Sequence, residues 1–284
     1  RGTLSNINAA VDGLSFLGSP DYYGGAVLTI TTSDLGNTGT GGPRSDTDLV
    51  NITVLNVNDA PQLLIPGTTP VTNEDTAVML TIAGGTAPQV FDADGAAEIL
   101  QVSVSFAHGQ LTLASIAGLT FSVGDGSNDS VLTFSGTQAA INAAWDGAIY
   151  QPTADYNGSD SAAISVVDPS LLSDAGTQPI DILPVNDAPV AAPDSYTMQA
   201  GGTLTITSPT VMANDYDVDG DSLTVAWQSL PINGTFVGFA DGSFTLTPTS
   251  GFFGVETFTY RLNDGTTQSP EITVTVNVTP VGDG

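Results

Sequence analysis

Along most of the chain apolar and polar residues alternate in short runs, each closed by Gly, Pro, Asn or Asp, which is the period of half-buried β-strands. The run Val50, Ile52, Val54 shows it plainly. In residues 1–60 the pattern predicts a short helical turn over 6–11 and strands over 14–17, 26–32 and 49–57. From 61 to 189 it predicts strands over 77–82, 99–106, 110–114, 119–123, 131–135, 148–151, 161–167 and 178–183. Residues 137–145 are the single helical candidate there: they are rich in alanine and carry a threonine near the start, which suits a short helix crossing one end of a sandwich. From 190 to 284 the predicted strands are 195–198, 203–206, 223–227, 234–238, 243–247, 256–262 and 271–278. Short strands with turn signals between them are the pattern of an immunoglobulin-like sandwich.

The pattern also repeats. Ile7-Asn8-Ala9-Ala10-Val11-Asp12-Gly13 matches Ile141-Asn142-Ala143-Ala144-Trp145-Asp146-Gly147 everywhere but at Val11. The match continues through Phe16 with Tyr150, and through Asp21-Tyr22-Tyr23-Gly24 with Asp155-Tyr156-Asn157-Gly158. A third, partial copy aligns Leu246-Thr247-Pro248 and Phe252-Phe253-Gly254 with Tyr150-Gln151-Pro152 and Tyr156-Asn157-Gly158. Between the copies Val57-Asn58-Asp59-Ala60-Pro61 returns as Val185-Asn186-Asp187-Ala188-Pro189, and in degraded form as Val281-Gly282-Asp283. Proline after each intact linker bars helix and weakens sheet pairing, so the chain leaves one module and enters the next. The expected organisation is the C-terminal half of a module in 1–60, a complete module with a short helical insert in 61–189, and a shorter module in 190–284. Three strands in 1–60 do not close a sandwich, so their completion is expected from the same polypeptide upstream or from another subunit.

Composition narrows the function. The chain of 284 residues has no cysteine and no lysine, its basic residues being Arg1, Arg44 and Arg261, so neither disulfides nor lysine isopeptide bonds staple it. A net charge of -27 argues against nucleic acid and against an anionic membrane surface as partner. No apolar run approaches membrane-helix length and the first residues are no signal peptide, so the chain reads as an excerpt of, or a processed piece from, a longer polypeptide. Most of the acids are aspartates beside Gly and Asn, which places the charge in loops.

The densest acidic runs are Asn214-Asp215-Tyr216-Asp217-Val218-Asp219-Gly220-Asp221 and Asp92-Ala93-Asp94-Gly95. Alternate carboxylates with a glycine at the bend suit a hard cation such as calcium, although the twelve-residue EF-hand spacing is absent. Aspartates that only hydrogen-bond their own turns would give the same motif.

These runs, with Ala60-Pro61, Glu74 in Asn73-Glu74-Asp75-Thr76, the aspartates after the penultimate strands (Asp34, Asp168, Asp264) and the Val-Asn-Asp-Ala-Pro linkers, resemble the cadherin-like tandem repeats of large bacterial surface adhesins. The resemblance covers almost the whole chain. It implies an all-β fold of tandem immunoglobulin-like (cadherin-like) β-sandwich modules joined end to end, with Ca2+ at each joint. At the first joint the implied ligands are Asn58 and Asp59 with Asp92, Asp94 and Asp168, joined by Asp21. At the second they are Glu74, Asp155, Asn186, Asp187, Asp217, Asp219 and Asp264. In the last module Gln199-Ala200-Gly201 replaces Glu74 and Gly251 replaces Asp155, so its far end is poorly equipped for metal.

The remaining motifs are read as structural. Tyr22 and Tyr156 fit a tyrosine corner, a buried phenol bonded to backbone. Trp145 and Trp227 lack flanking aromatics and are expected in the core or as end caps. His108, the single histidine, is expected in a hairpin turn; no second zinc ligand and no nucleophile-elbow motif accompany it, which points away from a hydrolase. Five Asn-x-Ser/Thr triplets arise readily by chance in so Ser- and Thr-rich a chain. The sequence therefore reads as a non-enzymatic, calcium-stiffened segment of an extracellular or cell-surface bacterial adhesin or fibre. Its expected partners are neighbouring modules or identical subunits, with cell-surface or matrix glycans a further option. The rival readings are a carbohydrate-binding module set of a secreted enzyme and a fibre subunit assembled by strand complementation.

Overall fold

The computed structural model describes residues 1–36, 40–94 and 97–282. Gly95 of the first acidic run and Asp283 of the degraded linker lie outside the described residues. The chain divides into two compact units. One comprises Arg1–Thr72, Thr76–Pro152 and Ser159–Asp181, the other Asn73–Asp75, Thr153–Gly158 and Ile182–Gly284.

The first unit opens with helix α1 (Leu4–Val11) and a hairpin of β1 (Gly24–Ser33) and β2 (Ser45–Val54), paired antiparallel from Gly24 with Val54 to Ser33 with Ser45. These two long strands form a sheet of their own. The predicted strand at 14–17 does not form: Leu14, Phe16 and Leu17 are exposed, Leu17 at 94%, and no described strand lies alongside to accept a ladder. Its counterpart in the repeat is a strand because it has two neighbours. The predicted strand over 49–57 stops at Val54 because its partner starts at Gly24.

A β-sandwich follows. Its strands are β3 (Gln62–Leu64), β4 (Val71–Asn73), β5 (Val78–Leu80), β6 (Gln89–Phe91), β7 (Ile99–Ser105), β8 (Gly109–Thr112), β9 (Thr120–Val123), β10 (Val131–Thr137), β11 (Ala148–Pro152), β12 (Gly158–Val167) and β13 (Ser173–Leu183), with helix α2 (Gln138–Trp145) between β10 and β11. The sheets run β4-β13-β12-β7-β10-β9 and β5-β11-β8, with β3 paired to β6. Alternation on β7 buries Leu100, Val102 and Val104, and on β12 it buries Ala162, Ile164 and Val166, so the period-two pattern becomes one inward face. Strands β3, β4 and β6, three residues each, are not among the predicted strands.

Helix α2 starts where Thr137 Oγ1 accepts the N–H of Ala140 at 3.3 Å. It packs against β6 and β10 and buries Ile141, Ala144 and Trp145. Trp145 is 1% exposed, the expected core position. Tyr150 on β11 is fully buried and its phenol donates to Asp160 Oδ2 at 2.6 Å. The tyrosine-corner positions differ from expectation. Tyr22 does donate to a backbone carbonyl, Gly25 O at 2.5 Å, but remains 43% exposed because the bond is made three residues away, within its own turn.

The second unit holds β14 (Asp194–Gln199), β15 (Leu204–Ile206), a 3-10 turn (Val211–Asn214), β16 (Thr224–Ser229), β17 (Gly234–Gly238), β18 (Phe244–Pro248), β19 (Gly254–Asn263) and β20 (Ile272–Thr279). Four strands in the order β14-β20-β19-β16 face three in the order β15-β18-β17, and β14 runs parallel to β20. Phe244, Leu246, Phe258, Tyr260, Leu262, Val274 and Val276 fill the space between the sheets. Trp227 packs half-buried in this cluster, 5.0 Å from Phe236 and 5.8 Å from Phe258 between ring centroids. Neither tryptophan offers the bare indole face that a glycan platform needs. Tyr260 is buried with its hydroxyl 2.9 Å from Asp215 Oδ2 and 3.1 Å from Asp194 Oδ2. Burial pushes the Asp194 carboxyl up to about 6.

Candidate metal centres at the two Asn-Asp linkers

Each Asn-Asp linker organises a web of side-chain bonds, and the web is the same in both. In the first unit Asn58 Nδ2 donates to Asp168 Oδ2 at 2.7 Å and to Asp59 O at 3.1 Å. The Asp59 N–H then donates to Asp94 Oδ2 at 2.6 Å, and the Asp94 N–H to Asp92 Oδ1 at 2.9 Å. In the second unit Asn186 Nδ2 donates to Asp264 Oδ2 at 3.0 Å and to Asp187 O at 2.7 Å. Asp187 N–H donates to Asp219 Oδ2 at 2.7 Å, and Asp219 N–H to Asp217 Oδ1 at 2.9 Å. An asparagine amide and two backbone N–H groups thus gather three carboxylates, a local arrangement that short side chains beside the backbone favour.

The surroundings differ. In the second unit the web meets Glu74, whose Oε1 accepts the Val185 N–H at 2.6 Å, and Asp155, whose N–H donates to Asp75 Oδ1 at 3.1 Å. One carboxylate oxygen from each of Glu74, Asp187 and Asp219 lies within 4.8 Å of the others, and the same holds for Asp75, Asp155 and Asp187, and for Asp217, Asp219 and Asp221. In the first unit the corresponding group is Asp92, Asp94 and Glu98. Asp21 is exposed, with φ of 57°, and lines a groove with Asp59 and Ala93 without joining that triad. Asp155 has the same φ of 57° at the equivalent position of the repeat.

Like charges this close strain the ionised state. Burial, reinforced by Asp155, Asp75, Asp219 and Glu74, pushes the Asp187 carboxyl above the usual carboxylate range. Burial also raises Asp92, with Asp94, Asp168 and Asp59 adding repulsion against the bond from the Asp94 N–H. Glu98 is raised by burial and by Asp92, Asp94 and Asp168. Asp264 moves the other way, held well below the usual range by the Asn186 amide and by the N–H groups of Thr267 and Thr266. Among the described residues the one ion pair, Arg261 with Glu271 at 3.8 Å, involves none of these acids.

The residues present fit a hard cation. Asp92 is 5% exposed and its Oδ2 meets no hydrogen-bond donor, and the same is true of the buried Oδ2 atoms of Asp187 and Asp217. A buried carboxylate oxygen without a donor is costly, and a divalent ion with all-oxygen coordination removes that cost. The chemistry of the set, carboxylates and carbonyls without sulfur or imidazole, suits calcium better than zinc.

Of the residues expected from the sequence, Asn58, Asp59, Asp92, Asp94 and Asp168 come together in one web, and Glu74, Asp155, Asn186, Asp187, Asp217, Asp219 and Asp264 in the other. Asp75, Glu98 and Asp221 join them without having been singled out. Asp221 continues the Asp-x-Asp spacing of its run and was within reach of it. Glu98 belongs to no motif, because its place depends on where β7 begins.

Residues 186–277 match the family described as Bacterial Ig domain. No curated protein matches the chain by sequence. Among solved structures the chain is similar to an endo-fucoidan hydrolase from glycoside hydrolase family 107, with 19% identity over 92% of this chain and a TM-score of 0.28, and it spans 34% of that hydrolase. It is similar as well to extracellular cadherin domains 1-5 of protocadherin gamma B2, with 13% identity over 90% of this chain and 46% of that one and a TM-score of 0.42. For mouse cadherin-23 EC22-24 the identity is 15%, over 90% of this chain and 74% of that one, with a TM-score of 0.39. The fold is all-β and immunoglobulin-like, and no helix among the described residues is long and apolar enough to cross a membrane.

Proposed function

We propose that this chain is a non-enzymatic, calcium-stiffened structural segment of an extracellular adhesin or surface fibre, working with neighbouring modules or identical subunits. The observation that carries the reading is the doubled web: two Asn-Asp linkers, each gathering carboxylates with buried oxygens that no donor meets. Calcium supplies the missing positive charge and accepts oxygen ligands at variable number, so it binds a flexible linker and fixes it. Without the ion, repulsion among Glu74, Asp75, Asp155, Asp187 and Asp219 loosens the second linker while the apolar core of each sandwich stays intact. Extracellular sites of this kind have dissociation constants of roughly 0.1 to 1 mM. The test is small-angle scattering of the chain with 5-to-10-fold the dissociation constant of calcium, on the order of several mM, and then with chelator. The expected result is a longer, narrower distribution of distances with calcium and a broader one without it, at unchanged circular dichroism. Identical scattering curves in the two conditions would remove calcium as the stiffening agent.

A further inference from the structure

We infer that Asn157-Gly158 is a self-modifying site: its side-chain amide deamidates, with water as the co-reactant, and the carboxylate formed joins the acidic cluster around Glu74. The conversion itself needs no metal, while its effect on calcium rests on the calcium-stiffened reading of the second linker. Asn-Gly occurs twice in the chain, at Asn157-Gly158 and Asn233-Gly234. Glycine has no Cβ to block the approach of its own amide nitrogen to the preceding side chain, which makes the pair a labile setting for asparagine. In the reaction the Gly158 nitrogen bonds to Asn157 Cγ, the Cγ–Nδ2 bond breaks, and Nδ2 leaves as ammonia with the proton of the Gly158 N–H. Water then opens the cyclic imide at either carbonyl and leaves aspartate or isoaspartate, each with one new negative charge.

The structure separates the two sites. Asn233 is half-buried and held: its Nδ2 donates to Glu256 Oε2 at 2.9 Å and its carbonyl accepts the Thr249 N–H at 2.9 Å. Gly234 pairs with Pro248, and the backbones lie so close that a Cβ there would stand 2.6 Å from Thr247 O. Asn157 is exposed, and among the described residues its one side-chain bond is long, from Nδ2 to Glu74 Oε2 at 3.5 Å. Gly158 has φ of 126°, and the nearest atoms to a Cβ placed there belong to the Tyr156 side chain, at 3.3 Å and beyond. The Asn157 carboxamide can swing from Glu74 onto the Gly158 nitrogen at little cost, whereas at Asn233 two good hydrogen bonds must break first. In the other copies of the repeat Tyr23 and Phe253 stand where Asn157 does, so the reactive pair is peculiar to the copy that carries Glu74.

The consequence follows from Glu74, which is 2% exposed. Its Oε1 accepts the Val185 N–H, and Asn157 is the donor to its Oε2. Deamidation puts an acceptor where that donor was. A buried carboxylate thereby loses a partner and gains a like charge, at the place where Asp187 and Asp219 already converge on it. A divalent cation reverses the sign, because the number of charged ligands sets the affinity of an all-oxygen site. Conversion at Asn157 therefore loosens the metal-free linker and tightens calcium on it.

The experiment ages the full chain in chelator at mildly alkaline pH and follows each Asn-Gly by peptide mass mapping and isoaspartate-specific methylation. Asn157 is expected to convert at least about tenfold faster than Asn233, the factor that two modest hydrogen bonds supply. The product mimic Asn157→Asp should lower the thermal midpoint in chelator by roughly 2 to 4 °C and bind calcium several-fold more tightly, on the order of fivefold, by titration calorimetry. Asn157→Gln, which keeps an amide but closes the imide far more slowly, should stay unconverted at the original midpoint. No conversion at Asn157, or conversion no faster than at Asn233, overturns the site. An unchanged midpoint in Asn157→Asp overturns the place of the new carboxylate beside Glu74. If conversion and midpoint shift occur as expected while neither the original chain nor Asn157→Asp binds calcium, the calcium reading fails and the modification site stands.

Discussion

The two copies of the repeat carry nearly the same residues and end in opposite states at one end and in the same state at the other. Around the helix, α2 buries Ile141, Ala144 and Trp145 while α1 buries nothing. At the linker, Asn58 and Asp59 make the same bonds to Asp168 and Asp94 that Asn186 and Asp187 make to Asp264 and Asp219. The apolar half of the motif acts through residues far away in sequence and is idle without them. The polar linker needs only the sandwich that follows it, which both copies have. Burial is thus a property of the module, and the Asn-Asp web is a property of the joint.

The largest effect that can break this contrast is in the helices. Trp145→Ala leaves a cavity in a close-packed site, and large-to-small changes of this kind cost about 3 to 5 kcal/mol. Val11→Ala, at a position 45% exposed, should stay within roughly 0.5 kcal/mol. Chemical denaturation of the two variants measures both. Equal losses would mean that α1 is packed in solution after all.

A smaller effect separates the two asparagines. Removing the Asn142 side chain strands the N–H and C=O of Val90, for which about 1 to 3 kcal/mol is expected, while Asn8→Ala should leave the unfolding midpoint unchanged. A matching loss at Asn8 would show that its carboxamide already holds a strand.

The smallest stability effect, and the one most specific to function, lies at the linkers. Asp187→Asn removes charge from the point where Glu74, Asp75, Asp155 and Asp219 converge, and calcium binding there is expected to weaken about tenfold, or 1.4 kcal/mol. Asp59→Asn, in the unit whose web lacks a Glu74 counterpart, should weaken binding by less. Isothermal titration of each variant compares them. If Asp59→Asn proves the more damaging, the added carboxylates of the second linker are not ligands.

The charge distribution bears on the same comparison. Asp187 and Asp92 are both raised by burial and by neighbouring carboxylates, so without metal each takes up a proton more readily in the folded protein than in the unfolded chain. Folded-state protonation contributes stability at pH below the ordinary carboxylate range and loses it as pH rises through the shifted value. Metal-free protein should accordingly tolerate mild acid better than a set of hydrogen-bonded carboxylates such as Asp264 would by itself allow.

Much of this protein is legible without coordinates. Alternation places β7, β12, β17 and β19, because a strand buried on one face writes its period into the sequence. The Asp-x-Asp spacing finds Asp92, Asp94, Asp217 and Asp219 in the two webs, since the bonds from Asp94 N–H to Asp92 and from Asp219 N–H to Asp217 span two residues. What is not legible depends on neighbours. Residues 14–17 alternate as well as 148–152 do, yet only the latter form a strand, because a ladder needs a second chain segment to receive it. Glu98 and Asp75 enter the acidic clusters through the fold of the loops around them, and the three-residue strands β3, β4 and β6 exist only as partners of others. Local hydrogen bonding and periodicity are written in the sequence; burial and the convergence of distant carboxylates are decided by the tertiary structure, because both require groups separated by tens of residues to occupy one place.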